Sequence, residues 1–224
     1  NIKDFDIISK LPEIEKKVNV KKFVENCLKG TLYKTKRKKI YGYLIHNPKD
    51  ILSNNKKAIL KTLNLLKKQN KIKKIGVSVY EVEELKKILK VFKPDIIQIP
   101  INILNQNFLK KNFLKKIKKK GIEIHGRSIF LQGALLKYRN TSQGRILKKK
   151  MKKVDTLCKK KNISKIGLLL NFADSIKEID KLVLGIDNMK QLKQIIKCNE
   201  NPYLIKGYKS LSTNNKKIID PRTW

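Results

Sequence analysis

FDIISK, residues 5–10, is an apolar run that ends on Lys10, and YGYLIH, residues 41–46, is a second run that ends on His46. Side chains alternate along a strand, and the carboxyl ends of parallel strands meet at the edge of a sheet where α/β folds bind their ligands. A Lys and a His held side by side at that edge suggest chemistry on a carbonyl group.

Short apolar runs alternate along the chain with lysine-rich amphipathic stretches, which indicates repeated βα units. Six strands are predicted, at 5–10, 41–46, 75–79, 96–102, 122–129 and 181–186. Such alternation implies a parallel sheet, either doubly wound or closed as a barrel, and no G-x-G-x-x-G follows a strand to support the doubly wound type. The sequence therefore predicts an α/β fold of the (β/α)₈ barrel type in one domain over 1–224, with strands 3 to 8 present and the first two βα units missing.

Local signals mark several helix ends. Ser53 suits the N-cap of a helix over 54–69, and Asn188 suits the N-cap of the last helix. Gly121 suits a helix stop, and Ser78 with a Glu three residues later has the spacing of a capping box.

A longer connecting segment, residues 136–153, interrupts the regular alternation of strands and helices. It contains Arg139, Thr141, Gly144 and Arg145 and is the best candidate for a substrate-side loop. The basic runs over 110–120 and 148–153 are predicted to form outer helix faces.

Lys and Arg total 55 against 18 acidic residues, which gives a net charge of +37. So basic a surface attracts phosphate backbones. Yet only five of these residues are Arg, the residue preferred for bidentate contacts to bases, and the lysines accompany abundant Ile and Asn, as an AT-biased coding sequence produces. Composition bias is the favoured interpretation and a polyanion role stays open, so no specific nucleic acid partner is expected.

Three scattered cysteines without a C-x-x-C pair are read as reduced thiols of a cytoplasmic protein. The two histidines lack the spacing of metal ligands, so no metal is predicted. The longest apolar stretch, 96–104, is too short to span a bilayer, and no membrane association is expected.

The strand ends FDIISK, YGYLIH, KIKKIGVSV, DIIQIP, GIEIHGRSIFLQG and LVLGIDNMKQL, in this order, resemble the aldo/keto reductase family, as does the tail IIDPRTW. The resemblance implies an enzyme in which a Tyr protonates a substrate carbonyl, a Lys lowers the pKa of that Tyr, an Asp pairs with the Lys and a His orients the carbonyl. Lys10 matches the family's Lys and His46 its His. The family's Tyr and Asp fall upstream of Asn1, so the chain is predicted to be a fragment without them, since Tyr41 and Tyr43 lie on the wrong face of their strand.

The resemblance also implies a nicotinamide cofactor, NADP or NAD. Ser78 and Gln98 match the residues that bind the nicotinamide carboxamide, although Val79 replaces the usual Asn beside that Ser. Arg127 occupies the place of an aromatic ring that stacks on the nicotinamide, which a planar guanidinium can also do.

The remaining cofactor residues follow the last two strands. Residues matched to the pyrophosphate are Ser128, Gln132 and Gly133, and residues matched to the adenosine are Gly185, Asp187 and Gln191. No Lys or Arg stands at the Gly185 and Gln191 positions to grip a 2′-phosphate, so the choice between NAD and NADP is open.

The leading hypothesis is an NAD(P)H-dependent oxidoreductase that reduces an aldehyde or ketone, a small-molecule carbonyl substrate. The alternative, motivated by the missing Tyr and Asp, is a non-catalytic relative that binds the nicotinamide cofactor. A basic polyanion-binding protein is a third interpretation, and the oligomeric state is not predicted.

Overall fold

The computed structural model describes residues 5–15, 18–199 and 207–224, and within them it contains one parallel sheet. Six strands follow one another in the sheet in chain order. Their bounds are β1 Ile8–Leu11, β2 Ile40–Ile45, β3 Ile72–Ser78, β4 Ile96–Pro100, β5 Glu123–Arg127 and β6 Lys181–Leu182. The predicted α/β class and parallel six-strand sheet are confirmed, although the last strand is far shorter than the predicted 181–186.

Helices connect the strands. The α-helices are α1 Val20–Thr35, α2 Pro48–Leu52, α3 Lys56–Lys68, α4 Val82–Leu89, α5 Phe113–Lys118, α6 Ser142–Lys161, α7 Lys165–Asp174, α8 Met189–Asn199 and α9 Lys216–Ile219. Short 3-10 helices cover Asn107–Asn112, Tyr208–Leu211 and Pro221–Thr223. The prediction of a substrate-side loop is wrong for residues 142–147, because Thr141 caps α6 and Leu147, Met151 and Val154 bury one face of this helix. The predicted outer helix face over 148–153 is confirmed, since its lysines are exposed on α6.

Two of the predicted caps are wrong for local reasons. Ser53 ends α2 instead of capping α3, whose N-cap position is taken by Asn55. Ser78 is the last residue of β3, and the N-cap of α4 is Glu81, so the two do not form a capping box.

Two other helix-end predictions are confirmed. The side-chain oxygen of Asn188 accepts a hydrogen bond from the backbone N–H of Gln191 at 3.0 Å. Gly121 follows α5 with a φ of +71°, a conformation that suits a helix end followed by a turn.

The chain divides into two compact units, Asn1–Gln98 with Ile117–Ile124 and Ile99–Lys116 with His125–Trp224. In the first unit the apolar faces of α1, α3 and α4 are buried, with Leu28, Leu63 and Leu85 at their centres. The core of the second unit includes buried side chains from α6 and α7. Single-domain organisation stays a prediction.

Close strand packing in the first unit depends on glycine. Gly42 is the partner of Ile8 and of Lys74, and Gly76 is the partner of Ile96. A Cβ atom on Gly76 would lie 2.6 Å from the carbonyl oxygen of Ile96, which leaves no room for a side chain. No helix among the described residues is long and apolar enough to cross a membrane.

Candidate active site

The strand register of the first unit places Lys10, His46, Ser78 and Gln98 on one face of the sheet. Lys10 is the partner of Leu44, and Ser78 is the partner of Gln98. Partnered residues of parallel strands point the same way, and directions alternate along each strand. His46 follows the Ile45–Val77 pair and is therefore level with Ser78, two residues beyond Leu44.

These side chains differ in exposure. Lys10 is half-buried in β1, and His46 is exposed just after β2. The backbone N–H of His46 donates to the carbonyl oxygen of Leu11 at 3.1 Å, which extends the β1–β2 ladder to the point where His46 leaves it. The polypeptide around this histidine is thus held by the sheet while its imidazole faces solvent.

Ser78 and Gln98 are the buried polar pair of this face, with exposed fractions of 1% and 3%. The Oε1 atom of Gln98 is buried and accepts no hydrogen bond within the described residues. A carboxamide presents one N–H donor side and one carbonyl acceptor, the groups that a glutamine oxygen and a serine hydroxyl complement. The pair fits the amide end of a nicotinamide.

Tyr43 occupies the opposite face of β2. Its side chain is fully buried, its hydroxyl has no partner among the described groups, and burial raises the pKa of the phenol, with a smaller contribution from Cys27 of α1. A neutral phenol enclosed on the helix side of the strand cannot reach a carbonyl on the face of His46.

Tyr41 is held at the opposite, amino-terminal end of the sheet. Its hydroxyl donates to Glu123 at 2.7 Å and accepts from Lys74 at 2.6 Å, and Lys74 also pairs with Glu123. Burial raises the pKa of the Tyr41 phenol, an effect that the bond from Lys74 opposes and Glu123 reinforces. Neither Tyr41 nor Tyr43 can donate a proton at the carboxyl ends of the strands.

In the second unit, Arg127 ends β5 and starts a tight turn. Its Nη1 atom donates to the hydroxyl of Ser128 at 3.2 Å. Ser128, Gln132 and Gly133 all have left-handed backbone conformations, with φ values of +61°, +54° and +80°. Such turns expose backbone N–H groups that can bind anions.

The predicted pyrophosphate and adenosine residues line one cavity of about 460 Å³ in the second unit. All six predicted residues line this cavity: Ser128, Gln132, Gly133, Gly185, Asp187 and Gln191. The amino terminus of α8 borders this cavity, where the backbone N–H of Asp187 donates to Gln191 Oε1 at 2.8 Å. The turn after β5 and the amino terminus of α8 therefore border the same concave site.

Two residues that interact with the predicted cofactor residues were not predicted from the sequence. Asn102 is buried, and its amide donates to the carbonyl oxygen of Ser128 at 3.1 Å, which anchors the turn after β5. Asp220 accepts hydrogen bonds from Arg222, which lower the pKa of its carboxyl group, and the charge of Arg127 adds to this effect. Two features of the sequence could have indicated these residues: Asn102 is a polar residue within the apolar run IPINIL, and Asp220 belongs to the Asp-Pro-Arg sequence of the tail.

No group of three or more His, Cys, Asp or Glu side chains within the described residues could hold a metal ion. All three cysteines are free thiols.

Comparison with known proteins identifies the family. The model of the aldo/keto reductase family matches residues 3–214. The chain belongs to this family, whose members are oxidoreductases that use nicotinamide cofactors. A comparison with curated protein sequences finds no match.

Solved structures of similar fold include other aldo-keto reductases. The apo form of one from Bacillus halodurans is 17% identical, with a TM-score of 0.72 over 93% of this chain and 70% of that chain. Its holo form is 14% identical, with a TM-score of 0.71 over 99% and 76%. An enzyme from a Medee basin deep-sea metagenome is 16% identical, with a TM-score of 0.65 over 93% and 70%. At this identity the likeness shows the shared fold.

Proposed function

We propose that the protein is a cytoplasmic NAD(P)H-dependent oxidoreductase that reduces an aldehyde or a ketone. The bound cofactor supplies hydride. His46 orients the substrate carbonyl from the end of β2, while Lys10 presents its ammonium group on the same face of the adjacent strand. Ser78 and Gln98 hold the nicotinamide carboxamide, and the cavity of the second unit takes the pyrophosphate and adenosine.

One observation carries this proposal: the buried Oε1 atom of Gln98 accepts no hydrogen bond from the described residues. An unpaired buried acceptor costs about 1–3 kcal/mol. Folds tolerate such violations mainly at functional sites. Gln98 lies beside Ser78, on the face that also carries Lys10 and His46, which are the polar groups that a nicotinamide amide and a substrate carbonyl require.

The test replaces Gln98 by Met, with Gln106→Met as the matched control. Gln106 is equally buried, but its amide donates to the carbonyl oxygens of Ile103 at 2.7 Å and Tyr208 at 2.8 Å. We expect Gln98→Met to weaken cofactor binding by roughly tenfold, with no loss of thermal stability. Gln106→Met should lower stability by about 1–3 kcal/mol and leave cofactor affinity unchanged.

The measurements are the quenching of protein fluorescence by NADH and NADPH, and urea denaturation of each variant. A Gln98→Met protein that is destabilised like Gln106→Met and binds cofactor normally would show that Gln98 is only structural. Failure of the unaltered chain to bind either nucleotide would refute the proposal itself.

The second-unit cavity favours NADH over NADPH. Although the chain carries 55 basic residues, none is among the described residues that line this cavity, and Asp187 contributes a carboxylate. A 2′-phosphate needs a cationic partner, whereas a ribose 2′-hydroxyl can donate to a carboxylate. We expect Asp187→Asn to weaken NADH binding more than NADPH binding; equal weakening of both would contradict this preference.

A second candidate, a relative that binds the cofactor without catalysis, is favoured by the positions of Tyr41 and Tyr43. Loss of a general acid lowers the rate by about 10²–10⁴, and neither phenol can supply the proton to the Lys10 and His46 face. The two candidates separate in one assay, NADH oxidation with a panel of aldehydes and ketones. Turnover that falls in His46→Gln supports the reductase; tight NADH binding without turnover supports the second candidate.

A further inference from the structure

We propose that a basic groove along α6 binds the phosphate backbone of single-stranded nucleic acid, independently of the reductase site. The groove, called the α6 groove below, is a cavity of about 760 Å³ within the second unit. Six cationic side chains line it: Arg145, Lys148, Lys149, Lys152, Lys159 and Lys165. None of them belongs to the cofactor residues described above.

Charge on α6 exceeds the chain average. The helix sequence SQGRILKKKMKKVDTLCKKK contains nine basic residues and one acidic residue, whereas the whole chain has 55 against 18. Lysine enrichment from biased composition would be spread over all exposed faces. Here an Arg, one of only five in the chain, begins a cationic row at Arg145, Lys148, Lys149 and Lys152, spaced by about one turn, and Lys159 follows two turns further along the groove.

The acidic residue of the groove is already neutralised. Asp155 forms an ion pair with Lys165 and accepts a hydrogen bond from the hydroxyl of Tyr138 at 2.6 Å. Lys165 also donates to that hydroxyl at 3.1 Å and lies 4.6 Å from the centre of the Tyr138 ring. This cluster cancels the carboxylate charge, so the remaining cations set the electrostatic potential inside the groove.

Groove dimensions favour a single strand. From Arg145 to Lys159 the helix rises roughly 21 Å, and the cavity beside it has a volume of about 760 Å³. A concave site along such a length accommodates an extended phosphodiester chain, whereas a rigid duplex would contact only its rim. An anionic bilayer is flat and cannot enter a concave channel, so it would meet only the outward lysines of α6.

The experiment measures binding of fluorescein-labelled oligothymidine to the full chain by anisotropy over a range of salt concentrations. The groove variant replaces four exposed lysines of α6 by Gln, at Lys148, Lys149, Lys152 and Lys159. The control variant removes the same charge from the exposed face of α3, at Lys56, Lys57, Lys61 and Lys68. Circular dichroism melts check that both variants fold.

We expect the groove variant to lose at least roughly tenfold in affinity at low salt, and the slope of log K against log salt to shrink by about 3, since each phosphate contact to a single strand contributes about 0.7. The control variant should keep most of the affinity and most of the salt dependence of the unaltered chain. Equal losses in the two variants would show that only net charge acts, and no binding by the unaltered chain would also overturn the proposal.

Two further probes test the choice of ligand. A duplex of the same length that binds as tightly as the single strand, with equal sensitivity to the groove variant, would overturn the single-strand assignment. Vesicles of phosphatidylserine and phosphatidylcholine that bind α6 while oligothymidine does not would replace a nucleic acid partner by a membrane surface.

Discussion

At the residue scale, the partly buried charges of Lys74 and Glu123 neutralise each other in a small cluster. Lys74 is 29% exposed and Glu123 is 12% exposed, and both contact Tyr41. Although burial favours the neutral amine, the hydrogen bonds and charges of Glu123 and Tyr41 raise the pKa of Lys74 above its ordinary value. A cation stabilised in this way stays charged at neutral pH, so the cluster is a structural anchor for the amino-terminal ends of β2, β3 and β5.

Asp220 gives the sharpest pH prediction. Its carboxylate accepts hydrogen bonds from Arg222 at 2.9 and 3.1 Å, and these lower its folded-state pKa below the ordinary value. A carboxyl group whose pKa is lower in the folded state than in the unfolded state stabilises the folded state at pH values above its unfolded-state pKa, about 3.9. This stabilisation is lost as the pH falls through the folded-state pKa. We expect Asp220→Asn to lose about 1–2 kcal/mol at pH 7, a difference that vanishes in strong acid.

Urea denaturation across acidic to neutral pH measures this difference, with the exposed Asp174→Asn as the matched control. The control should track the unaltered protein at every pH. A gap between Asp220→Asn and the unaltered protein that stays constant down to strong acid would show that the carboxylate charge is not what stabilises the tail.

At the element scale, the start of α6 depends on a glycine. The backbone N–H of Gly144 donates to the Thr141 hydroxyl at 3.1 Å, and a Cβ atom here would lie 1.8 Å from the carbonyl oxygen of Arg139. Gly30, within α1, has no other atom near the position of a Cβ. The same substitution should therefore have opposite effects in the two helices.

We expect Gly144→Ala to destabilise the protein by about 1–3 kcal/mol through overpacking. In contrast, Gly30→Ala should stabilise it by about 0.5–1 kcal/mol, because Ala loses less conformational entropy in a helix. Thermal denaturation followed by circular dichroism compares the two. If Gly144→Ala melted at or above the unaltered temperature, the tight turn between Arg139 and α6 would not exist in solution.

At the scale of the whole molecule, net charge opposes folding. A charge of +37 on 224 residues produces self-repulsion that salt screens. The screening length falls from about 30 Å at 0.01 M to about 8 Å at 0.15 M. We expect the melting temperature to rise over this interval, equally in sodium chloride and potassium fluoride, and a fall or a rise in only one salt would contradict simple screening.

The sequence alone determined the parallel α/β class and the placement of Lys10 and His46 at neighbouring strand ends, because strand and helix periodicity are local properties of the chain. Tertiary structure decided that α6 begins as early as residue 142, because the buried face of this helix needs partners distant in sequence. It also decided which polar groups are satisfied. Gln98 and Gln106 are both buried amides, but Gln106 donates to the local carbonyl of Ile103 and to that of Tyr208, 102 residues away, whereas the oxygen of Gln98 is left without a partner among the described residues.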